Sequence, residues 1–321
     1  MSKIKGIVIL FVGAISISLI GCGDKTKNKT EYLENFEFQE NIQYKLEKII
    51  DENNKLQTPA GIVCYGEALY VADKDADKDA DTIRKYDLNG ELLLEIGKTG
   101  NAGGELLSPS ALAIDQNENI YVADEGNYRI QMFNKEGDFQ KYIELTDLKK
   151  KKVNDFLDLE VNKEGTLFLT LRSYKESVCR LYVIKGEKID TTTKSISGVL
   201  GSNEDKTEIV YFQSNKWEDG FLCSDTGYMG ILEKDNIKKM ATLPESYGAR
   251  DAVVYDSCIY AFSNYCTLDR FNLEGKYIET VFSTEANKST VGYSYITVDK
   301  EGNFYISDEK GAVFKLIKQG E

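Results

Sequence analysis

A segment of about 47 residues recurs along the chain, and this repeat limits the folds that the chain can adopt. Each copy combines short strands of alternating apolar residues with turns such as Asn-Gly and Glu-Gly. The last residues of the second strands fall at positions 73, 124, 170, 225, 263 and 308. Repeats of this length that hold about four strands each are typical of sheets arranged around a common axis. The pattern therefore predicts an all-β fold, a six-bladed β-propeller with four-stranded blades.

Two copies carry the repeat most clearly, at residues 59–91 and 109–137. The second copy, with its glycine-rich lead-in at 97–104, resembles the NHL repeat. The last copy is similar to it, and the three copies between them are degenerate. The resemblance covers roughly residues 42–318 and implies an NHL-type propeller. A β-sandwich or an irregular all-β domain is the alternative.

The two ends of the chain predict how the ring closes. The sixth copy stops after its third strand at 312–317, whereas a strand-like run at 43–50 precedes the first copy and has no place in it. We expect this N-terminal strand to complete the last blade, because pairing it there removes an open sheet edge. The propeller domain is accordingly placed at residues 42–321.

The N-terminal residues have the pattern of an export signal. Lys3 and Lys5 precede an apolar run that ends at Gly21, and this run is shorter than the roughly 20 residues that span a bilayer. Residues 19–22 resemble a bacterial lipobox, which implies a lipoprotein signal peptide at 1–21 and lipidation of Cys22. The alternative is a signal that is uncleaved or is cleaved without lipidation. Residues 22–41 are polar and predict a flexible tether, so the chain is expected on the extracytoplasmic face of the cell membrane.

Composition excludes several kinds of chemistry. Lys and Arg number 40 against 53 Asp and Glu, which gives a net charge of −13 and disfavours nucleic acid as a partner. The sequence contains no histidine, so it has no Ser-His-Asp triad and no His-bound zinc. Five cysteines follow Cys22, and Cys258 and Cys266 lie in one predicted hairpin where a disulfide bond is one option.

One loop of the first copy is strongly acidic. A carboxylate stands at every second position of an insertion between the second and third strands, and these candidate metal ligands are Asp73, Asp75, Asp77, Asp79 and Asp81. Hard oxygen ligands suit Ca²⁺, but the glycine and the closing glutamate of a calcium loop are missing. The sequence therefore predicts either a solvated acidic loop or a weak calcium site.

The propeller axis is the second candidate location for a site. Residues at the starts of the innermost strands are expected to point to it, namely Asn154, Asp155, Arg250, Asp251 and Ser294. The resemblance to six-bladed lactonases implies an axial Ca²⁺ or Zn²⁺. However, the first two blades offer only the small residues Ala60, Gly61, Ser110 and Ala111.

The sequence favours a membrane-anchored extracytoplasmic binding or interaction module whose partner is a protein, a peptide or a small molecule. A metal-dependent hydrolase or lactonase is the alternative, and the missing axial ligands make a non-enzymatic role the preferred interpretation. Arginine and aromatic residues frequently anchor binding surfaces. The candidate binding residues are Trp217, Arg250, Asp251, Asp155, Tyr247 and Tyr293. Packing between blades is the alternative role for Trp217.

Overall fold

The structure is a computed structural model, and its strands cover most of the chain from residue 41 onward. It describes residues 41–51, 56–74, 81–151, 155–173, 178–186, 188–191, 197–202, 209–214, 216–218, 221–223, 228–233, 236–242, 249–263, 266–284, 293–308 and 310–319. The proposed signal peptide and most of the proposed tether therefore lie outside the described residues. Among the described residues, no helix is both long enough and apolar enough to cross a bilayer.

The described strands follow one another as short antiparallel elements. In chain order they are β1 (Tyr44–Ile50), β2 (Thr58–Tyr65), β3 (Ala68–Lys74), β4 (Thr82–Asp87), β5 (Leu92–Ile96), β6 (Pro109–Ile114), β7 (Ile120–Asp124), β8 (Arg129–Phe133), β9 (Phe139–Glu144), β10 (Asp155–Val161), β11 (Leu167–Ser173), β12 (Val178–Lys185), β13 (Lys188–Thr191), β14 (Ser197–Ser202), β15 (Ile209–Ser214), β16 (Lys216–Glu218), β17 (Phe221–Cys223), β18 (Tyr228–Glu233), β19 (Asn236–Thr242), β20 (Ala249–Tyr255), β21 (Cys258–Ser263), β22 (Thr267–Asn272), β23 (Tyr277–Ser283), β24 (Tyr293–Val298), β25 (Phe304–Asp308) and β26 (Val313–Lys318). A 3₁₀ turn, η1 (Glu125–Asn127), and a short helix, α1 (Thr146–Lys151), lie between strands.

Four-stranded antiparallel sheets are the building unit, as expected for propeller blades. Within the described part of the chain the sheets are β2–β5, β6–β9, β10–β13, β14-β15-β18-β19, β20–β23 and β24-β25-β26-β1, and β16 and β17 form a separate hairpin. The first strands of successive sheets lie beside one another, in the order β2, β6, β10, β14, β20 and β24, with β24 beside β2. We call these the inner strands. The fold is an all-β propeller.

The strand predicted at 43–50 is β1, and it pairs with β26. The pairing is antiparallel, with Tyr44 opposite Lys318 and Ile50 opposite Val313. Residues from both ends of the chain therefore belong to the same sheet.

The hydrophobic core lies between neighbouring sheets. One cluster joins the first and second sheets and contains Tyr70, Ile83, Leu112 and Phe133, all of them buried. Equivalent clusters join the second sheet to the third, the fifth to the sixth and the sixth to the first. Because middle strands such as β3 are covered on both faces, they are nearly continuously buried rather than alternating.

The prediction for the fourth copy was wrong in its strand assignment. Residues 220–225 were expected to contain the second strand, but that strand is β15 at Ile209–Ser214. Residues 216–223 form the β16–β17 hairpin, which is inserted between the second and third strands of the sheet. The physical reason is that an inserted hairpin has the same turn signal and apolar residues as a blade strand.

The two faces of the propeller carry different connections, because the strands of each sheet alternate in direction. We call the upper face the one that holds the links between sheets, such as 97–108 and the described link residues 145–151, together with the ends of the second strands and the starts of the third strands. The β16–β17 hairpin belongs to this face. The lower face holds the turns between first and second strands, such as 115–119, and those between third and fourth strands, such as 134–138.

The suggested disulfide bond between Cys258 and Cys266 is wrong. In the described part of the chain, neither of these cysteines takes part in a disulfide bond, and neither does Cys64. Cys258 opens β21 at the lower face, whereas Cys266 precedes β22 at the upper face, so the length of a strand separates them.

Candidate functional site

A β-bulge near the start of five inner strands determines which residues line the centre of the molecule. In β2, β6, β10, β20 and β24 the pairing register shifts by one residue shortly after the strand begins. Such a bulge adds an unpaired residue and changes which side chains face inward. The first paired residue after each bulge lines a central cavity, and these residues are Gly61, Ala111, Asp158, Asp251 and Tyr295.

The cavity is small, and different sheets contribute small residues and acidic residues to its lining. Its volume is about 60 Å³. The first two sheets contribute Gly61 and Ala111, and a Cβ atom at Gly61 would lie 3.4 Å from the Ala111 Cα, so the backbones approach closely there. The third and fifth sheets contribute the acidic residues Asp158, Glu160 and Asp251.

The carboxylate of Asp251 ties two sheets together. Its Oδ1 accepts the Ala252 N–H at 2.8 Å, and its Oδ2 accepts the N–H of Ile296 in the next sheet at 2.8 Å. Burial raises the pKa of Asp251 well above its ordinary value, and the charges of Asp158 and Glu160 raise it further. The described residues that line the cavity include no Lys or Arg that could offset this charge.

Of the predicted axial residues, Asp251 lines the cavity. Asp155 and Arg250 are half-buried and are not among its lining residues, whereas the structure adds Asp158 and Glu160. The expectation failed at Asp155 because the bulge in β10 moves the inward position along the strand. The alternating carboxylates of the run Asp-Leu-Glu at 158–160 were the available signal. Asn154 lies outside the described residues, and the side chain of Ser294 is not described.

The ends of the acidic loop are held by the fold. Asp73 is fully buried, and its Oδ1 accepts the N–H groups of Gln57 and Thr58 at 2.9 Å each. Its Oδ2 accepts a hydrogen bond from Arg84, which also pairs with Glu95 at 3.0 Å.

Asp81, also fully buried, joins the acidic loop to the link between the first two sheets. Its N–H donates to Thr99 Oγ1 at 2.9 Å, and its Oδ2 accepts the Ser108 N–H at 2.7 Å. These contacts place the C-terminal end of the acidic loop beside residues 97–108. Asp75, Asp77 and Asp79 lie outside the described residues. Among the residues that are described, no group of three or more acidic or cysteine side chains is arranged to hold a metal ion.

The glycine-rich link at 97–106 is fixed by a buried arginine. Arg129 pairs with Asp124 at 2.7 Å, and its other nitrogens donate to the carbonyl oxygens of Asn101, Ala102 and Glu105 at 2.7–2.9 Å. Asp124 is fully buried and also accepts the Leu107 N–H at 2.7 Å. This part of the upper face is therefore held in one arrangement by charge-assisted hydrogen bonds.

The remaining predicted binding residues are placed only by their backbone. Trp217 belongs to β16 in the upper-face hairpin, and Tyr293 begins β24, but their side chains are not described. Tyr247 lies outside the described residues. Asp155 lies close enough to Glu125 for its charge to add to the rise in the Glu125 pKa, which burial causes first.

Comparisons with known proteins agree on the repeat and the architecture. Residues 106–133, which contain β6, β7 and β8, match the family model of the NHL repeat. A stretch of 47 residues is 43% identical to protein lin-41 of Caenorhabditis elegans; it covers 15% of this chain and 4% of lin-41.

Among solved structures, the chain resembles a gluconolactonase from Xanthomonas campestris with 12% identity and a TM-score of 0.57, over 86% of this chain and 90% of that one. It also resembles the calcium-binding protein regucalcin from Agrobacterium tumefaciens with 12% identity and a TM-score of 0.57, over 84% and 93% of the two chains. At this identity the likeness concerns the fold alone. With the matched repeat and the four-stranded sheets, these similarities support an NHL-type β-propeller.

Proposed function

We propose that this chain is a lipid-anchored, extracytoplasmic interaction module that binds its partner on the upper face of the propeller. The observation that carries this proposal is the fixed upper-face link at 97–106, where Arg129 and Asp124 are buried to hold backbone that remains at the surface. A surface that is already ordered loses little entropy when it binds. NHL-type propellers generally mediate protein interactions, which agrees with this role.

The central cavity is too small to favour a small organic ligand over a partner that binds at the surface. Pockets that enclose small organic ligands usually measure about 300–1,000 Å³. A cavity of about 60 Å³ is far below that range and suits a few water molecules. A partner that binds to the loops of the upper face is therefore the better match to the geometry.

We infer further that the propeller has six blades and that β1 closes it. Support comes from the six four-stranded sheets of the described residues, from the inner strands that follow one another back to β2, and from the pairing of β1 with β26. A closed ring removes the open edge that an unpaired β26 would otherwise expose.

The membrane location rests on the sequence of the first 22 residues. Lipidation of Cys22 with more than one acyl chain would give stable anchoring, where a single chain would bind only weakly and reversibly. Residues 22–41 would then connect the membrane to the propeller.

A cysteine substitution tests the anchor. Cys22→Ser removes the thiol that would be lipidated, so we expect the variant to move from the membrane fraction to the soluble fraction in cell fractionation. Cys64→Ser is the matched control, because Cys64 is a thiol within the fold, and this variant should stay with the membrane. Retention of Cys22→Ser in the membrane fraction would contradict the lipid anchor.

A metal-dependent hydrolase or lactonase is the second candidate, and the three axial carboxyl groups are the observation in its favour. The donor set does not fit Ca²⁺, which takes 6–8 oxygen ligands. Both oxygens of Asp251 already accept backbone N–H groups, and Gly61 and Ala111 offer no side-chain oxygen. Metal analysis of the purified protein distinguishes the two roles: a stoichiometric ion would favour the enzyme.

A further inference from the structure

The place where the N-terminal segment joins the propeller is fixed by hydrogen bonds to two sheets. The Asn41 and Gln43 N–H groups donate to the carbonyl oxygens of Thr280 and Val281 in β23, at 2.9 Å each. The Gln43 carbonyl oxygen accepts the Gln319 N–H at 2.6 Å. Residues 41–43 therefore lie at the junction between the fifth and sixth sheets.

Side chains reinforce this attachment. Asn41 Nδ2 and Gln43 Nε2 donate to the two oxygens of Glu279, at 2.7 and 3.2 Å. Glu279 is buried and also pairs with Arg270. Removing either Glu279 or Arg270 would leave the charge of the other residue without its partner. The acceptor to which Asn41 and Gln43 donate is therefore held firmly in place.

The direction of the strands gives the face from which the segment departs. β24 starts at the upper face, and β25, β26 and β1 alternate from it, so β1 starts at the lower face beside the end of β26. Going from Gln43 back to Asn41, the partners change from Val281 to Thr280, toward the start of β23, which is also at the lower face. Both observations show that the chain, followed from Gln43 back to Asn41, runs toward the lower face.

We infer that the anchored protein faces the membrane with its lower face and presents the upper face, including Trp217 on the β16–β17 hairpin, to water-soluble partners. This inference rests on the proposed lipid anchor at Cys22. The strands of five to eight residues that separate the two faces correspond to about 16–26 Å. The 18 residues between Cys22 and Asn41 would have a mean end-to-end distance of roughly 21–25 Å if they are flexible.

The upper face also has the features of an exposed interaction surface. It holds the fixed link at 97–106 and an inserted hairpin of the fourth sheet that contains Trp217, Phe221 and Leu222. The four-stranded sheet is complete without this hairpin, which is therefore an addition to the regular blade. A partner in solution could reach both features from the side opposite to the membrane.

The single tryptophan of the chain makes the orientation measurable. The full-length protein is reconstituted on vesicles that contain a dansyl-labelled lipid, and energy transfer from Trp217 to the lipid is recorded. The matched variant combines Trp217→Phe with Glu136→Trp, which moves the donor to an exposed turn of the lower face. We expect transfer to be several-fold greater for the lower-face donor. Equal transfer, or greater transfer from Trp217, would overturn the inference.

Flotation of the vesicles tests the lipid anchor independently of the orientation. If the protein does not float, the lipid anchor is contradicted, and both variants are then attached to nickel-chelating lipid by a histidine tag placed before Cys22. The chain has no other histidine, so the attachment point is defined. The same comparison on these vesicles then supports or overturns the direction in which the N-terminal segment leaves the propeller.

Discussion

At the residue scale, buried carboxylates connect segments that the backbone hydrogen bonds between paired strands do not join. Asp73 and Asp124 occupy equivalent positions near the ends of second strands. Asp73 accepts two N–H groups and Asp124 accepts one, all from residues at or just before the start of the inner strand of the same sheet. Each also pairs with a buried arginine, Arg84 or Arg129. Asp251 has a different role, since it joins neighbouring sheets at the centre.

Asp124→Asn should destabilise the protein and loosen the link at 97–106. The change leaves the buried Arg129 without its carboxylate, and breaking a buried pair in this way costs about 3–5 kcal/mol. Chemical denaturation measures the loss, and hydrogen exchange should become faster at 97–106. Glu95→Gln is the control, because its carboxylate is half exposed and its pair with Arg84 is worth about 1 kcal/mol or less. Equal losses in the two variants would count against the proposed role of Asp124.

Asp158→Asn should change how stability depends on pH. The raised pKa means that folded Asp251 keeps a proton that the unfolded chain releases near its ordinary pKa of about 4. This contribution is present at low pH and is lost as the pH rises through the folded pKa. Removing the Asp158 charge lowers that pKa, so the melting temperature should fall less between pH 5 and pH 8 than in the unchanged protein.

The amide at position 158 can still accept the Leu159 N–H that Asp158 Oδ1 accepts at 2.8 Å, and Glu160 remains as a second charge near Asp251. The control for the pH experiment is Asp147→Asn in α1, where the carboxylate is 82% exposed and the net charge changes equally. If both variants keep the pH dependence of the unchanged protein, the axial carboxyl groups do not interact as inferred.

At the scale of strands, the sequence predicted where strands lie better than it predicted the residue-by-residue register of their pairing. The Asp-ended second strands at 73, 124 and 308 could be recognised because apolar residues and a terminal aspartate recur there. The bulges could not be predicted, because they depend on how neighbouring inner strands pack at the centre. For that reason Asp251 was found among the axial residues, while Asp158 and Glu160 were missed.

Deleting residues 43–50 should strongly destabilise the sixth sheet or cause aggregation. The deletion removes the buried side chains of Tyr44 and Ile50 and exposes the edge of β26. Thermal unfolding is compared with a control that lacks only residues 23–40. Because the deletion can prevent folding altogether, Tyr44→Ala is a milder variant that should cost about 3–5 kcal/mol. An unchanged melting temperature in the deletion variant would disprove a closing role for β1.

At the scale of the whole molecule, the net charge of −13 sets the expected response to cations. Screening by salt weakens repulsion among exposed carboxylates, so any divalent cation should produce a modest rise in melting temperature. A specific calcium site would add a larger rise that Ca²⁺ produces and Mg²⁺ does not.

We expect millimolar Ca²⁺ to raise the melting temperature only slightly more than Mg²⁺ does. Asp73 and Asp81 are occupied by backbone and side-chain partners, which leaves Asp75, Asp77 and Asp79 as the remaining carboxylates of the insertion. Changing these three residues to Asn should abolish the difference between the two cations. A stoichiometric, micromolar Ca²⁺ titration in calorimetry would instead establish a specific site.

The pairing of β1 with β26 also has a consequence for the order of folding. Tyr44 lies opposite Lys318, so this contact has one of the longest sequence separations that the chain allows, whereas each of the other sheets pairs strands that are near one another in sequence. Contacts of large separation form slowly, because a long loop must close before they stabilise the structure. A chain that is synthesised or exported from its N-terminus can form the early sheets first, but β1 must wait for the last strand. Completion of the sheet that contains β1 therefore depends on delivery of the chain as far as β26.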